Sequence, residues 1–300
     1  MSGTTKQSHE GEPFKGGLIR YDGDMPRFLY RYRPITSKNL ERVRDFEIGQ
    51  EGIFLAGLAD LNDPCEGRFR FVFKGTRREI YKYWISALPG ERPDWSKDMI
   101  KANAKARTRQ IFQDFPYAPV EGMTSVREVL GKLIRVACFT DDPLNPVMWA
   151  HYGYSCLDHG ANIPAGGICL QYAIGEDWRD CNLHPVIYSD MVPEVDALSM
   201  ASNEPAAVKS MYMKTPHWSY EAEWRMLAII NARPPFPDNL TANSKIAARD
   251  CLRAIIFGLN ADSELISELI DAGRQVNSEM EFKKVHQNQE SQQLELRRIA

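Results

Sequence analysis

Apolar and charged side chains alternate at Tyr220–Arg225, which is the pattern of a β-strand with one face in the protein core. In an extended strand, side chains two positions apart lie on the same face. The charged face therefore carries Glu221, Glu223 and Arg225, while the alternate residues are aromatic or small and face the core. The strand pattern extends over 217–230, which predicts a long strand.

Other segments of strand character recur along the chain, separated by turn residues and by helical stretches. The strand-like segments are 27–33, 52–56, 68–74, 134–140, 167–172, 185–188, 253–258, 281–285 and 294–299. Helices are expected at 37–49, 77–88, 95–115, 125–133, 191–213 and 263–272. Strands and helices follow one another without a steady strand–helix–strand rhythm. This favours an α+β fold with a mixed, mostly antiparallel sheet.

The chain is expected to form one folded domain after an N-terminal tail. Residues 1–26 are rich in Ser, Gly, Thr and charge, which predicts a flexible segment. Residues 27–300 are interpreted as a single α+β domain. Within that domain, the helical stretches at about 77–133 are punctuated by proline and predict a helical insertion packed on the sheet.

Composition limits the classes of partner. Lys plus Arg number 37 and Asp plus Glu 40, so the net charge is −3 and nothing drives the chain toward nucleic acid or an acidic membrane. No apolar stretch is long enough to span a bilayer, and the N-terminus has no signal-peptide core. The six scattered cysteines are expected to be reduced thiols. These observations predict a cytoplasmic protein.

The acidic pair on the predicted strand is the first candidate for chemistry. Carboxylates at Glu221 and Glu223 would lie roughly 7 Å apart on one face, and their repulsion tends to raise one pKa. Such a pair suits acid–base chemistry or the stabilisation of a cationic intermediate. The alternative is a solvated strand in which both glutamates pair with basic residues across the sheet.

A second candidate is the strand Tyr30-Arg31-Tyr32-Arg33. Arg31 and Arg33 share one face, and two guanidinium groups can hold a phosphate or a carboxylate through paired hydrogen bonds. The alternative is an ordinary amphipathic edge strand in which both arginines pair with nearby acids.

Two patterns contain histidine. His151 lies beside Trp149 and Tyr152, where it is either a packing residue or a catalytic one. Two Cys-x-x-His steps could together supply two thiolates and two imidazoles to a tetrahedral zinc ion. Their candidate ligands are Cys156, His159, Cys181 and His184. The alternative is that these cysteines and histidines bind no metal.

Several common catalytic motifs are missing from the sequence. There is no P-loop, no glycine-rich dinucleotide turn, no Gly-x-Ser-x-Gly elbow and no His-Glu-x-x-His pair. A Rossmann enzyme, a P-loop ATPase and an α/β-hydrolase are therefore not expected.

An ordered set of short motifs resembles the bacterial domain of unknown function 2971 family. The resemblance covers about residues 28–260, and the chain departs from it in a long insertion near 75–130 and in extra residues between Tyr152 and Gly167. The matching pieces are Tyr30–Arg33, Asn62-Asp63-Pro64, Cys138-Phe139-Thr140, Met148–Tyr152, Gly167–Tyr172, Lys214 and Trp218–Arg225.

The order of these pieces also looks like that of ADP-ribosyltransferase domains. The likeness implies an NAD substrate whose diphosphate is bound by Arg31 or Arg33, with Thr140 supporting the strand geometry near the nicotinamide ribose. It implies that Glu223 stabilises the oxocarbenium-like sugar and that Glu221 orients the acceptor. The middle element is Phe-Thr-Asp rather than Ser-Thr-Ser, which is a departure at Thr140.

Three hypotheses follow. The first is an NAD-binding ADP-ribosyltransferase-like enzyme, a toxin or defence effector, with Glu223 and Glu221 as catalytic residues. The second is a non-enzymatic binding module in which glutamates and arginines form a structural network. The third is a metal-dependent hydrolase or nuclease that uses Asp63, His151 and the two glutamates. The candidate cofactor-binding residues are Arg31, Tyr32, Arg33, Asn62, Asp63, Thr140, Trp149, His151 and Tyr152.

Overall fold

The structure is a computed structural model of the 300-residue chain. It describes residues 21–65, 67, 69–113, 134–157, 160–175, 178, 182–198, 210–229, 245–247 and 250–300. Residues 1–20 of the expected tail and the expected helix at 125–133 lie outside these ranges, so both stay predictions.

Seventeen strands are present in the described residues. In chain order they are β1 (Phe28–Arg33), β2 (Ile35–Thr36), β3 (Gly52–Phe54), β4 (Ala56–Gly57), β5 (Arg70–Val72), β6 (Ile134–Thr140), β7 (Ser155–Cys156), β8 (Ile168–Ala173), β9 (Leu183–Pro185), β10 (Ile187–Tyr188), β11 (Glu194–Asp196), β12 (Met213–Lys214), β13 (Glu223–Ile229), β14 (Lys245–Ala247), β15 (Leu252–Phe257), β16 (Glu281–Gln287) and β17 (Leu294–Arg298).

Nine of these strands form one large open sheet. Eight lie in the order β17-β16-β15-β8-β1-β6-β13-β9, and β4 pairs with β6 beside that path. Every pairing in this sheet is antiparallel except β15–β16, which is parallel. The expected α+β fold with a mixed, mostly antiparallel sheet is therefore confirmed.

Four α-helices and three short helical segments complete the described elements. The α-helices are α1 (Arg77–Glu91), α2 (Lys97–Gln113), α3 (Pro146–His151) and α4 (Ser263–Val276). The short segments are a π-helical stretch at Arg42–Ile48 and 3₁₀ helices at Leu58–Asp60 and Pro216–Glu221. None of the described helices is long and apolar enough to cross a membrane.

The largest hydrophobic core lies between one face of the sheet and α4. Leu29, Leu170 and Ile255 contribute from β1, β8 and β15, and Leu265 and Leu269 contribute from α4. Burial of such apolar side chains is the main force that stabilises a sheet against a helix. This core fixes β1 and β8 firmly, which matters because β1 borders the candidate site.

Helices α1 and α2 pack against each other around a second core. Trp84 and Leu88 from α1 meet Ala104 and Ile111 from α2 in a cluster separate from the core under the sheet. Both helices fall within the stretch expected to be a helical insertion. The division of the chain into a tail and a single domain stays a prediction.

The large sheet opens between β1 and β6. Six consecutive residue pairs join β1 to β8, whereas a single pair, Tyr30 with Thr140, joins β1 to β6 in the described sheet. The first half of β6 pairs instead with β4, with Ala56 opposite Val136. The two strands therefore diverge after Tyr30 and leave a gap in the sheet.

The long strand expected at 217–230 is wrong in its first half. Pro216–Glu221 forms a 3₁₀ helix, and β13 begins at Glu223. Ala222 joins the two elements with φ +42°. Proline at the first helical position favours a helical turn because it fixes φ and needs no hydrogen-bond partner there. Glu223 and Arg225 thus share a strand face, but Glu221 reaches the site from the 3₁₀ helix.

The helix expected at 191–213 is wrong at its start, whereas Ser210 near its end is helical. Strand β11 lies within it and pairs in parallel with β5. Pro193 and the β-branched Val192 and Val195 disfavour a helix there and suit an extended chain. Residues 199–209 of the expected helix lie outside the described ranges.

Candidate active site

A cavity of about 250 Å³ occupies the gap between β1 and β6. Its walls come from β1, from β4 and the turn that follows, from β6, and from the segments that carry Lys214 and Glu221. The predicted site residues that line it are Arg31, Tyr32, Arg33, Asn62, Thr140, Tyr152, Glu221 and Glu223. The fold thus gathers residues from distant parts of the chain around one space.

Strand register decides which side chains face each other across this cavity. Tyr30 is opposite Thr140, and Thr140 is opposite Glu223 on its other side. Directly opposed residues point to the same face of a sheet, so these three side chains share a face. Neighbouring strands are about 4.8 Å apart, so Tyr30 and Glu223 lie about 10 Å apart across two strand spacings. Arg31 and Arg33 belong to the other face and border the cavity because the strands separate beside them.

Thr140 is almost fully buried at the centre of this register. Its hydroxyl accepts a hydrogen bond of 3.1 Å from the backbone N–H of Asp142, which fixes the chain where β6 ends. This hydrogen bond holds the end of β6 between β1 and β13.

Lys214 joins the two glutamates. Its Nζ lies 2.5 Å from Glu221 Oε2 and 2.9 Å from Glu223 Oε2, and all three side chains are almost completely buried. Burial would lower the pKa of Lys214, but the two carboxylates outweigh burial and raise it. Lys214 is therefore a positive charge that bridges the carboxylates of Glu221 and Glu223.

Glu223 is the more strongly paired of the two acids. Arg225 donates to both of its carboxylate oxygens, at 2.9 and 3.1 Å, and the Glu223 backbone N–H donates to the Tyr188 hydroxyl at 2.8 Å. Burial would raise the pKa of Glu223, but the charges of Arg225 and Lys214 outweigh it and lower the pKa to about 2. Glu223 is therefore a permanent anion at neutral pH.

Glu221 has a different environment. Its Oε1 accepts a 2.6 Å hydrogen bond from the Tyr152 hydroxyl, which in turn accepts one from the Asn62 side chain. Burial raises the pKa of Glu221, Lys214 opposes that rise, and Glu223 adds to it. The two acids thus have pKa values shifted in opposite directions, which is the arrangement that separates acid–base roles between paired carboxylates.

The arginines on the β1 side form a cluster with an excess of positive charge. Arg33 and Arg42 lie 2.6 and 3.3 Å from the fully buried Glu47, and Arg31 is buried beside them and donates to the Phe54 carbonyl. Burial, with the neighbouring Arg33, lowers the pKa of Arg31 to about 10. Arg31 Nη1 and Arg33 Nη2 are buried and have no hydrogen-bond partner among the described residues.

Three predicted site residues do not line this cavity. Trp149 is buried, donates to the Pro143 carbonyl and stacks edge-on against Tyr32. His151 is exposed, with Nδ1 3.3 Å from the Tyr220 hydroxyl. Asp63 is buried and accepts from the Cys65 backbone N–H at 2.7 Å, the geometry of a local turn.

Asp63 also borders a second, more open cleft of about 320 Å³. The other residues that line it are Pro64, Cys65, Thr215, His217, Trp218 and Tyr220. Asn62 and Asp63 are neighbours in the chain but line different spaces, as do Tyr220 and Glu221. The two spaces are therefore adjacent.

The possible zinc ligands are only partly described. His159 and Cys181 lie outside the described ranges. The Cys156 thiol donates to the Gly160 carbonyl at 3.2 Å, and the His184 ring packs edge-on against Tyr21 and at a tilt against Tyr212. Within the part of the chain that the structure describes, no group of three His, Cys, Asp or Glu side chains is placed to hold a metal ion.

Sequence reasoning gave no role to Lys214, Glu47 or Tyr188. Lys214 is in the motif series that carries the family resemblance, so its position before the acidic motif was visible, but no pattern placed its ammonium group between two glutamates. Glu47 lies in a π-helical segment, where the ordinary helical period does not show which side chains share a face.

Comparison with protein families, with curated proteins and with solved structures finds no match to this chain. The resemblances to the domain of unknown function 2971 and to ADP-ribosyltransferases stay predictions that rest on the motifs given above.

Proposed function

We propose that this protein is an enzyme that cleaves NAD and transfers its ADP-ribosyl group to an acceptor. One observation carries the proposal: the cavity in the split sheet has an excess of buried positive charge on its β1 side and a pair of differently titrating carboxylates on its β13 side. NAD needs both kinds of environment, because its diphosphate is anionic and its nicotinamide ribose becomes cationic as the glycosidic bond breaks.

The charge excess on the β1 side supports a diphosphate ligand. Arg31 and Arg33 line the cavity. Arg33 pairs with Glu47, which also pairs with the partly exposed Arg42 outside the cavity, and Arg31 pairs with no carboxylate in the described ion pairs. Buried charges are normally paired, and an unpaired one is costly. A bound diphosphate would neutralise the charge excess at Arg31 and Arg33 and could accept hydrogen bonds from these guanidinium groups in the paired geometry that arginine favours.

The carboxylates support cleavage of a glycosidic bond. Glu223 is held as an anion by Arg225 and Lys214, and a fixed negative charge stabilises an oxocarbenium-like sugar as positive charge develops on it. Glu221, whose pKa is raised by burial, is the better proton acceptor of the two. In this proposal Glu223 stabilises the sugar and Glu221 serves the acceptor.

Nicotinamide release from NAD by the purified chain tests the proposal. We expect wild type to release nicotinamide and Glu223→Gln to lose nearly all of that activity. Glu279→Gln is the matched control, because Glu279 is an exposed glutamate outside the cavity and its change should leave the rate unaltered. Absence of both NAD binding and NAD cleavage in wild type would overturn the proposal.

The same variants address the non-enzymatic alternative, which the bidentate Arg225–Glu223 pair favours. In that case Glu223→Gln lowers the melting temperature, and wild type shows no activity to lose. A metal-dependent hydrolase fits the geometry less well, because Glu221 pairs with Lys214 and Glu223 pairs with both Lys214 and Arg225. In addition, Asp63 and His151 do not line the cavity. Elemental analysis of the purified protein tests for bound metal.

A further inference from the structure

Three side chains form a hydrogen-bonded chain along the cavity wall. Asn62 Nδ2 donates to the Tyr152 hydroxyl oxygen, and the Tyr152 hydroxyl donates to Glu221 Oε1 at 2.6 Å. All three residues line the cavity. A phenolic oxygen that donates its one hydrogen and accepts one hydrogen bond still has capacity to accept another.

We propose that Tyr152 is a catalytic proton relay, which takes the proton of a hydroxyl acceptor, water or an alcohol, while it passes its own proton to Glu221. This inference rests on the proposed function, because it names the acceptor class and a further catalytic residue for that reaction. Glu221 is then the final base, and it acts on the acceptor through Tyr152.

The step balances in atoms and charge. The acceptor oxygen forms a bond to C1′ of the ribose as the C1′–N bond to nicotinamide breaks, and the electron pair of that bond stays on the departing nicotinamide, which leaves neutral. The acceptor proton moves to the Tyr152 oxygen, and the Tyr152 proton moves to Glu221 Oε1. The positive charge of the pyridinium ring and the negative charge of Glu221 both disappear.

The fold holds the relay in place from two sides. Tyr152 follows directly after α3, whose N-terminal cap is Asn145. The Asn145 side chain also donates to the Tyr220 carbonyl at 2.7 Å, which ties α3 to the 3₁₀ helix that ends at Glu221. The Asn145–Tyr220 hydrogen bond therefore fixes the helix that precedes Tyr152 relative to the helix that ends at Glu221, and so positions both ends of the Tyr152–Glu221 hydrogen bond.

The charges around Glu221 suit a base. The titratable groups that face it are Lys214, Glu223, Tyr152, Tyr188 and Tyr220. Lys214 shares its positive charge with Glu223, and burial makes the Glu221 carboxylate a stronger proton acceptor than an exposed one. Burial and the Glu221 contact also raise the pKa of Tyr152, so Tyr152 starts the step with its proton in place.

Tyr152→Phe tests the relay in an NAD hydrolysis assay, in which water is the acceptor. We expect kcat to fall by about 10²-fold or more, with little change in KM for NAD, because one proton-transfer group is lost and the ring is kept. Tyr152→Phe/Glu221→Gln should be no slower than the slower single variant, since residues that act as a unit are not additive. Tyr83→Phe is the matched control, because Tyr83 lies on α1 in the second core.

A second measurement on wild type keeps the test decisive if Tyr152→Phe does not fold. In mixtures of light and heavy water, two protons in flight give a curved dependence of kcat on deuterium fraction, whereas direct transfer of one proton gives a straight line. If wild type cleaves NAD but its kcat depends linearly on deuterium fraction, the relay is overturned and the proposed function stands. The same holds if Tyr152→Phe has a kcat close to that of wild type. Absence of NAD cleavage by wild type overturns the proposed function and the relay with it.

Discussion

Glu221 and Glu223 are two positions apart in the sequence and share one partner, Lys214, but their other contacts differ. Glu223 accepts two hydrogen bonds from Arg225 and lies in the strand, whereas Glu221 accepts from Tyr152 and lies at the end of a 3₁₀ helix. Lys214 contacts both. The pKa of Glu221 is raised, but burial contributes more to that rise than the repulsion by Glu223 that sequence spacing suggested.

The pH dependence of stability should have opposite signs at the two acids. The pKa of Glu223 falls from 4.5 to about 2 on folding, so its ionisation stabilises the fold fully above about 4.5, and this contribution is lost as the pH falls toward 2. The pKa of Glu221 rises on folding, so its ionisation removes stability as the pH rises above 4.5.

Urea unfolding of wild type, Glu223→Gln and Glu221→Gln across this pH range measures both effects. The stability advantage of wild type over Glu223→Gln should grow between pH 2 and 4.5 and then level off. The advantage over Glu221→Gln should instead shrink as the pH rises above 4.5. Equal slopes for the two variants would show that their environments are alike.

Removal of the Arg225 guanidinium should be strongly destabilising. Arg225 is fully buried, pairs with Glu223 and donates to the Met211 carbonyl at 2.5 Å. Arg225→Met leaves Lys214 as the remaining cation paired with Glu223 among the described residues. Loss of one partner of a buried ion pair costs about 3 kcal/mol in the free energy of unfolding.

Arg44→Met is the control for that prediction. Arg44 also forms two ion pairs, with Asp45 and Glu268, but at the surface, where such pairs add little stability. Chemical denaturation should therefore separate the two variants clearly. A loss at Arg225→Met as small as that at Arg44→Met would mean that water reaches the buried pair.

At the scale of elements, the alternation of apolar and polar side chains predicted the interiors of several strands correctly but did not locate the start of β13. The patterns at 134–140, 167–172 and 253–258 correspond to β6, β8 and β15. At 217–230 the alternation of side chains continued into a segment where Pro216 starts a 3₁₀ helix. The local sequence pattern cannot distinguish the end of a strand from a short 3₁₀ helix, because aromatic, small and charged residues can follow one another in both.

The junction at Ala222 should be strained. Its φ of +42° lies in the left-handed region, which costs a residue with a Cβ about 1 kcal/mol and glycine almost nothing. Ala222→Gly should therefore raise the free energy of unfolding by about 0.5 kcal/mol after the added flexibility of the unfolded chain is subtracted. Ala222→Val should lower it, because a β-branched side chain suits that region poorly.

Ala228→Gly provides the matched comparison for the junction. Ala228 is buried within β13, where glycine loses side-chain packing and adds flexibility to the unfolded chain, so this variant should be destabilising. Thermal or urea unfolding of the two glycine variants should thus shift in opposite directions. A shared direction would contradict the assignment of strain to Ala222.

The order in which the strands pair within the large sheet could not be predicted from the sequence. Single-strand patterns predicted that β1, β6 and β13 exist, but nothing in them shows that β6 lies between the other two or that β1 and β6 separate after one residue pair. The cavity depends on that separation. Candidate residues could therefore be named from chemistry, while their grouping around one space required the strand order.

The described residues form four hydrophobic clusters, and the two largest lie in different parts of the molecule. One lies between the large sheet and α4, and the other lies between α1 and α2 with Phe73 and Ala197. The candidate active site borders the sheet, and none of the residues lining its cavity comes from α1 or α2. A molecule built in this way can open locally in one part while the other keeps its hydrogen bonds.

Hydrogen exchange of Trp84→Ala tests this separation. Trp84 is buried in the second core, where it contacts Phe73 and Tyr83, and its loss should cost about 3 kcal/mol or more within that core. We expect backbone amides of α1 and α2 to exchange much faster, while those of β1, β6 and β13 keep their protection. Leu170→Ala, in the core under the sheet, is the comparison and should reduce protection in the strands. Faster exchange in β1, β6 and β13 of Trp84→Ala would instead mean that the two cores unfold as one unit, and the active-site cavity would then depend on the helical pair.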